Sequence, residues 1–196
     1  MREVELKSVV ADADRTIAEL RTAGAALAHD GRLSDTRYDT ADRALLAKDH
    51  VLRVRVLTES GGSHATLDWK GPTSYADGYK VREEISVQIG DAITFAQLLG
   101  GLGYVVIREI DRHITQFTCA GATVRIERYP RMDTLIEVEG EPAAIESAIA
   151  ASGLPRAGFT TERLQDFVLR YEARERTRAA LSDRELAGDY RYAANA

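Results

Sequence analysis

The chain has 196 residues, of which 44% are hydrophobic and 29% are charged, and its formal net charge is −5. This composition is typical of a single soluble globular domain with a sizeable core. The acidic balance argues against a general nucleic-acid binder, because affinity for phosphate backbones depends on an excess of Lys and Arg.

The sequence offers no sign of a membrane or secretory element. Its longest apolar stretches are far too short to cross a bilayer, and its first residues lack the apolar run of a secretory signal. The single cysteine, Cys119, rules out an internal disulfide and favours a reducing, cytoplasmic location. It lies in a predicted hairpin with no acid or base beside it in sequence, so we interpret it as structural.

The first half of the chain predicts strands around two helices. The opening "MREVELKSVV" alternates charged and apolar residues, as a strand with one ionic face does. "DADRTIAELRTAG" predicts a helix, because an Asp precedes it and a Gly ends it. Three alternating segments separated by turn-forming residues predict strands: "VLRVRVLTE", "HATLDWKG" and "GYKVREEISVQIG". "DAITFAQLLGGLG" predicts the second helix.

The second half predicts three further strands and then helices. The strands are "YVVIREIDRHITQF", "ATVRIERY" and "DTLIEVEGE", and "EPAAIESAIAASG" predicts a third helix. From there the pattern predicts helices only, over about residues 151–188, followed by a loose tail at 189–196. We therefore expect one domain over 1–196 with a strand-rich core at about 1–150. Runs of consecutive strands favour an α+β class, with an antiparallel sheet or barrel and helices outside it.

The polar faces of these strands are almost wholly ionic. Arg53 and Arg55 share one face of their strand, and Glu137 and Glu139 share one face of theirs. Alternation alone leaves two arrangements open: a sheet whose ionic face lies in water, or a long sheet that closes with its ionic faces inside. A channel lined by acids and bases is costly when empty, so the second arrangement implies a polyanion and metal ions within it.

Five segments, in order, resemble the CYTH superfamily, also called the triphosphate tunnel metalloenzymes. "EVELK" resembles the ExExK signature of that family, and the other segments are "YDTADRALLAKDHVLRVR", "LDWKGP", "YKVREEIS" and "LIEVEGE". They cover roughly residues 1–150. The resemblance implies a closed, antiparallel, eight-stranded β-barrel, the triphosphate tunnel, with helices packed outside. The C-terminal helices are similar, more loosely, to those of class IV adenylate cyclase-like members.

The resemblance also implies roles for charged residues. It implies two ions of Mg²⁺ or Mn²⁺ bound by carboxylates, namely Glu3, Glu5, Glu127, Glu137 and Glu139. It implies a triphosphate bound by cations, namely Arg53, Arg55, Lys70, Lys80, Arg82, Arg112 and Arg125. Lys7 and Glu84 are the candidate catalytic residues, and the sequence leaves open whether Lys7 contacts phosphate or acts as a base. These types suit the task, since Mg²⁺ prefers oxygen ligands and Arg matches phosphate oxygens in pairs.

Two positions depart from the family pattern. Ile110 stands where members often carry a Lys, and Arg108 on the same face is a candidate replacement. Arg37 stands where an aromatic residue usually precedes "YDT", and the sequence assigns it no consequence.

Three functions remain compatible with these residues. The preferred one is a class IV-type adenylate cyclase, in which the ribose 3′-hydroxyl attacks the α-phosphorus and diphosphate leaves. The alternative is a triphosphatase acting on inorganic triphosphate, a nucleotide or thiamine triphosphate, and the third is a non-catalytic binder of nucleotides or polyphosphate. The expected partner is a nucleotide or inorganic triphosphate, with neither a nucleic-acid polymer nor a membrane. The charged segment "ARERTRAALSDRE" is typical of a solvated helix face, and it is also compatible with a cap on one tunnel mouth or with a contact to a second subunit in a homodimer.

Overall fold

The computed structural model describes residues 2–192. The strands within this range are β1 (Arg2–Val9), β2 (Ala26–Thr40), β3 (Val51–Glu59), β4 (Gly62–Lys70), β5 (Ser74–Ala76), β6 (Tyr79–Ile89), β7 (Tyr104–Cys119), β8 (Ala122–Arg128) and β9 (Leu135–Glu139). The α-helices are α1 (Ala13–Thr22), α2 (Ala92–Gly101), α3 (Pro142–Ala151), α4 (Leu164–Glu175) and α5 (Asp183–Leu186). No helix in this range is long and apolar enough to cross a membrane.

Eight of the strands form a closed antiparallel barrel. Their order around it is β1-β9-β8-β7-β2-β3-β4-β6, and β1 closes the ring because it pairs with both β9 and β6. The short β5 pairs with β6 as an additional strand. The predicted α+β class and the eight-stranded barrel are therefore confirmed.

The first strand is buried on both faces. Val4 and Leu6 lie in the hydrophobic core, while Glu3 and Glu5 on the other face are each only 4% exposed. A sheet with its ionic face in water would leave those carboxylates accessible. Closure of the barrel is what removes them from solvent, so the solvated-sheet arrangement is wrong.

The helices cover the apolar outside of the barrel in two places. Leu20 of α1 and Ile145 and Ile149 of α3 pack with Phe117 and other apolar residues of the strands. Leu99 of α2 packs on the opposite part of the barrel wall against apolar residues of β2 and β3. Asp12 and Asp91 begin α1 and α2 by accepting backbone N–H groups, as the sequence predicts. Where these helices pack, the outward faces of the strands are buried, whereas Ile85 and Val87 on the outside of β6 remain exposed.

Strand β2 is missing from the predicted elements. It is 15 residues long and pairs with β7 and β3, so it forms the barrel wall opposite β1. Its sequence contains Asp30, Gly31 and Asp35, which favour turns in isolation. Pairing on both edges overrides that preference. The predicted hairpin at Cys119 is confirmed: β7 ends there, β8 begins at Ala122, and the thiol is buried.

The prediction of helices only over 151–188 is wrong for two stretches: residues 152–163, which contain only the short 3-10 helix Arg156–Gly158, and residues 176–182. Arg176 ends α4 with a φ of 54°, and residues 177–182 run extended along the barrel. There the N–H of Asp111 donates to Leu181 O at 2.7 Å, and Ala180 forms a bridge with Arg131. These bonds to the barrel replace helical ones. The Tyr190 hydroxyl accepts a hydrogen bond from Arg131, so the predicted loose tail touches the barrel at its start, and residues 193–196 lie outside the described residues.

Candidate active site

A cavity of about 540 Å³ lies within the barrel, and its lining is dominated by charged side chains. Every candidate residue from the sequence contributes to this lining: Glu3, Glu5, Lys7, Arg53, Arg55, Lys70, Lys80, Arg82, Glu84, Arg112, Arg125, Glu127, Glu137 and Glu139. Alternation along the strands explains the result, because residues two apart point to the same side. The lining brings together side chains from both ends of the chain.

The carboxylates and arginines inside the barrel are concentrated on two opposite walls, although β1 and β6 also carry Lys7, Lys80 and Arg82, and β2 carries Asp35. Neighbouring strands β6, β1 and β9 carry acids, namely Glu84, Glu3, Glu5, Glu137 and Glu139. Strands β7, β2 and β3 lie across the barrel and carry arginines, namely Arg108, Arg112, Arg37, Arg53 and Arg55. We call these the acidic wall and the arginine wall. A ligand between them would contact carboxylates on one side and guanidinium groups on the other.

Lys7 ties together two carboxylates of the acidic wall. Its Nζ lies 2.7 Å from Glu5 Oε1 and 2.6 Å from Glu137 Oε2. Burial alone would lower the pKa of Lys7, but the charges of Glu137 and Glu5 raise it above its ordinary value. Burial would likewise raise the pKa of Glu5, yet Lys7 and Lys80 bring it down to about 2. This part of the wall is thus fully ionised and internally neutralised.

A second group on the acidic wall is arranged differently. Carboxylate oxygens of Glu3, Glu84 and Glu139 lie within 4.8 Å of one another. Lys70 contacts both Glu3 and Glu84, whereas the Glu139 side chain forms no hydrogen bond or ion pair within residues 2–192. Burial, together with the charges of Glu137 and Glu3, raises the pKa of Glu139 to about 7. Convergent carboxylates that repel one another suit a divalent cation.

On the arginine wall, three guanidinium groups converge on Asp35. Arg55 donates to both oxygens of Asp35, at 2.8 and 3.1 Å, and Arg112 Nη1 donates to Oδ2 at 3.0 Å. Arg53 Nη1 lies 3.7 Å from the same carboxylate, and Arg53 also donates to Asp68 at 2.8 Å. Burial would raise the pKa of Asp35, but these arginines hold it well below its ordinary value. The carboxylate fixes the positions of the guanidinium groups.

Asp35 and Asp68 are site residues that sequence reasoning missed. The alternation of β4 places Asp68 on a polar face without assigning it a role, and Asp35 lies in the unrecognised strand β2. A signal for Asp35 was present, because Asp35, Arg37 and Asp39 are spaced by two. Two of these three, Asp35 and Arg37, line the cavity.

Glu127 forms hydrogen bonds with one arginine and one phenol, and it does not belong to the group of Glu3, Glu84 and Glu139. It accepts from Arg112 Nε at 2.8 Å and from the Tyr129 hydroxyl at 2.5 Å. Burial and the nearby Glu127 charge raise the pKa of Tyr129 well above its ordinary value, so the phenol remains a donor. In this arrangement Glu127 orients Arg112.

The Arg82 guanidinium group donates its hydrogen bonds to backbone carbonyl groups. Its Nε donates to Gly71 O at 2.7 Å and its Nη2 to Asp49 O at 2.5 Å. Asp49 in turn forms an ion pair with Arg163, the residue that precedes α4. Arg82 therefore joins two loops and the start of α4 at one mouth of the cavity.

The departure from the family pattern at Ile110 has a structural explanation. Ile110 lies under the C-terminal segment, where it clusters with Val168, Ala179 and Leu181. An apolar residue fits there because it packs against the extended stretch 177–182 and α4. Arg108 lines the cavity on the same strand and lies 3.7 Å from Glu185 of α5.

The fold and the site together define a closed β-barrel protein with an ionic tunnel, split into an acidic and an arginine wall. A family model for the CYTH domain matches residues 1–148. The chain belongs to the CYTH domain family. No curated protein matches the chain.

Solved structures share the fold at low sequence identity. The PH1819 protein of Pyrococcus horikoshii is 23% identical, with a TM-score of 0.71 over 86% of this chain and 98% of its own. An adenylate cyclase candidate from Vibrio parahaemolyticus is 20% identical, with a TM-score of 0.71 over 85% and 97%. HpAC1 from Hippeastrum, an adenylyl cyclase candidate with a dominant triphosphatase activity, is 14% identical, with a TM-score of 0.63 over 86% and 94%. At these identities the likeness concerns the fold.

Proposed function

We propose that this protein is a metal-dependent triphosphatase that binds its substrate between the two walls of the tunnel. The observation that carries the proposal is the group of Glu3, Glu84 and Glu139, with oxygens within 4.8 Å, in a cavity whose opposite wall holds arginines. Carboxylates of this kind bind Mg²⁺ or Mn²⁺, and arginines bind phosphate oxygens. The reaction adds water across a P–O–P bond and releases orthophosphate and diphosphate from inorganic triphosphate.

The residues of this chain would bind and orient the substrate. Arg53, Arg55 and Arg112, held by Asp35, present donors to the phosphate oxygens at little reorganisation cost. Lys7 contributes a fixed positive charge rather than a base, because two carboxylates keep its pKa raised. Glu3, Glu84 and Glu139 would hold the metal, which offsets charge on the phosphates and lowers the pKa of bound water.

This arrangement changes the roles expected from the sequence. Glu84 joins the proposed metal ligands, since its carboxylate lies with those of Glu3 and Glu139. Glu5 and Glu137 instead hold Lys7, and Glu127 holds Arg112.

The test is product analysis with inorganic triphosphate and, separately, ATP, each with Mg²⁺ or Mn²⁺. We expect orthophosphate from both, its loss in Glu3→Gln, and its retention in the control Glu19→Gln, whose side chain on α1 is 47% exposed. No orthophosphate under any condition would overturn the proposal.

Adenylate cyclase is the second candidate, because apolar side chains also line the cavity. Ile107, Ile110, Leu164 and Leu181 contribute where α4 and the C-terminal segment close the barrel. A purine base would pack against such a surface, which would leave the triphosphate between the walls. Cyclic AMP and diphosphate from ATP, in the same product analysis, would identify this reaction.

A further inference from the structure

Three arginines stand side by side on the arginine wall. The backbone register places Arg37 of β2 directly opposite Arg53 of β3 on one side and Arg108 of β7 on the other. All three line the cavity. Directly opposed side chains of an antiparallel pair have Cβ atoms about 5 Å apart, and like charges in such pairs are destabilising. We call these three residues the arginine row.

Two members of the row have acidic partners. Arg53 is paired with Asp68 and Glu84, at 2.8 and 3.2 Å, and Arg108 lies near Glu185. Arg37 differs from both, because within residues 2–192 its side chain forms neither an ion pair nor a hydrogen bond. Its Nε is buried without a partner. A partly exposed guanidinium group with an unpartnered Nε is available to bind an anion from outside the chain.

The electrostatic surroundings support that conclusion. Burial and the charge of Arg53, with further contributions from Arg108 and Arg112, lower the pKa of Arg37 to about 10, so it stays charged at neutral pH. Asp35 is the nearby acid, but its oxygens are already shared by Arg55, Arg112 and Arg53. Arg37 is thus the member of the row whose positive charge has no ion-pair partner among residues 2–192.

Arg53 belongs both to the proposed triphosphate site and to the row, whereas Arg37 and Arg108 lie beside that site. Asp35 and Arg55 form the neighbouring register pair of β2 and β3, two residues along from Arg37 and Arg53. Arg37 is therefore about 7 Å further along β2 than Asp35, because two strand residues span that distance. A chain of phosphates held at Arg55 and Arg112 would reach the row only by extending past that point.

We propose that Arg37, with Arg53 and Arg108, forms an additional anion site that accommodates a fourth phosphate, so that the tunnel prefers linear phosphate chains of four or more units to triphosphates. An uncharged base in this position would leave the row without a counter-charge. This inference rests on the proposed binding of a triphosphate in the tunnel. It assigns a role to a residue that departs from the family's usual aromatic.

The test is calorimetric titration of linear inorganic tri- and tetraphosphate with chelator present, so that no turnover occurs. The variants are Arg37→Gln, Arg37→Lys and the control Arg15→Gln, which removes an exposed arginine (77%) from α1. We expect Arg37→Gln to weaken the affinity for tetraphosphate roughly tenfold or more, which corresponds to the loss of one charge-assisted hydrogen bond. The affinity for triphosphate should fall by less than about threefold. Arg37→Lys should retain part of the affinity, and the control should change neither ligand.

Each other outcome has a defined meaning. Equal losses for both ligands would place Arg37 in the triphosphate site and overturn the inference, as would an unchanged tetraphosphate affinity. Failure of the wild-type protein both to bind triphosphate with chelator and to hydrolyse it with Mg²⁺ would overturn the proposed function itself. Thermal unfolding without ligand gives a second readout, because removal of the charge should relieve repulsion in the row. We expect the melting temperature of Arg37→Gln to equal or exceed that of the wild type, and a large decrease would indicate a structural role and overturn the inference.

Discussion

Individual charged residues in this barrel are either neutralised by neighbours or left with excess charge. Lys7 and Asp35 belong to the first kind, since each contacts two or more opposite charges. Glu139 and Arg37 belong to the second kind. Because buried charge without a partner is costly, residues of the second kind point to where ligands bind.

The first prediction concerns Glu139 in the metal-free protein. Its pKa is about 7 in the folded protein, against an ordinary value of 4.5 that applies to the unfolded chain. Between pH 4.5 and 7 the Glu139 carboxyl therefore holds its proton in the folded state but loses it in the unfolded chain. The free energy of unfolding consequently falls as the pH rises from 4.5 to 7. We expect Glu139→Gln to raise the free energy of unfolding by on the order of 1–3 kcal/mol at about pH 8. At about pH 4, where the carboxyl is protonated in both states, the substitution should have little effect.

Denaturant unfolding with chelator at both pH values measures this effect. The matched control is Glu59→Gln, a carboxylate outside the tunnel whose side chain is 25% exposed. A Glu139→Gln variant that is less stable than the wild type at the higher pH would contradict the argument.

The second prediction concerns Asp35. Asp35→Asn leaves Arg53, Arg55 and Arg112 without their shared carboxylate, so we expect a loss of about 3–5 kcal/mol in the free energy of unfolding. Added inorganic triphosphate should restore more stability to this variant than to the wild type, because it supplies the missing negative charge. Melting temperatures with and without the ligand test both parts, and an equal ligand effect in the two proteins would show that these arginines do not bind phosphate.

At the scale of elements, the C-terminal segment is part of the barrel's closure. Residues 177–182 hydrogen-bond to the barrel backbone, and Ile110 packs beneath them with Val168 and Leu181. Arg163 at the start of α4 pairs with Asp49 at the mouth. The segment therefore covers one end of the cavity.

The third prediction follows from this packing. Ile110→Ala should lower the free energy of unfolding by about 2–4 kcal/mol, since a buried side chain is truncated. Hydrogen exchange should increase first in residues 164–186. Ile93→Ala, at a position that is 73% exposed, serves as the control and should change stability by less than about 0.5 kcal/mol. Unchanged exchange in 164–186 would mean that Ile110 does not anchor the segment.

Most elements and many of the charged lining residues could be predicted from the sequence, because clean alternation marks β1, β3, β8 and β9 and places their charges inside. Strand β2 could not be predicted, since turn-forming residues interrupt its pattern and only pairing with β3 and β7 defines it. The sequence also could not predict which carboxylates contact Lys7 and which lie close to one another. Which of them meet Lys7 and which meet one another depends on register between strands far apart in the chain.

At the scale of the whole molecule, the tunnel is a lining of eleven Lys and Arg against nine Asp and Glu, with acids and arginines concentrated on opposite walls. Neither a metal ion nor a polyanion alone satisfies both walls. A metal ion neutralises carboxylates of the acidic wall that repel one another, and a polyanion does the same for the arginines. Each bound ligand also carries a charge that attracts the other ligand.

The fourth prediction is that the two ligands stabilise the protein together by more than the sum of their separate effects. Melting temperatures are compared for Mg²⁺ alone, inorganic triphosphate alone with chelator, and both, at concentrations about 100-fold above their dissociation constants, where each single site gives about 2.7 kcal/mol. Glu3→Gln should abolish the stabilisation beyond the sum of the two separate effects. The stabilisation by triphosphate without metal should not change. Strictly additive shifts in the wild type would show that the walls act independently.

Closure of the barrel through β1 also fixes an order of events during synthesis. In the backbone register, Glu5 of β1 pairs with Lys80 of β6 on one side and with Glu139 of β9 on the other. Strand β1 therefore cannot complete its pairing until β9 has been synthesised. Until β9, which ends at Glu139, has left the ribosome, β1 has one or both edges open, and the carboxylates of Glu3 and Glu5 remain hydrated. Such long-range pairing slows folding and exposes strand edges to other chains. The tunnel therefore cannot close before residue 139 has been synthesised, and we expect the edges of β1 to remain unpaired in part until then.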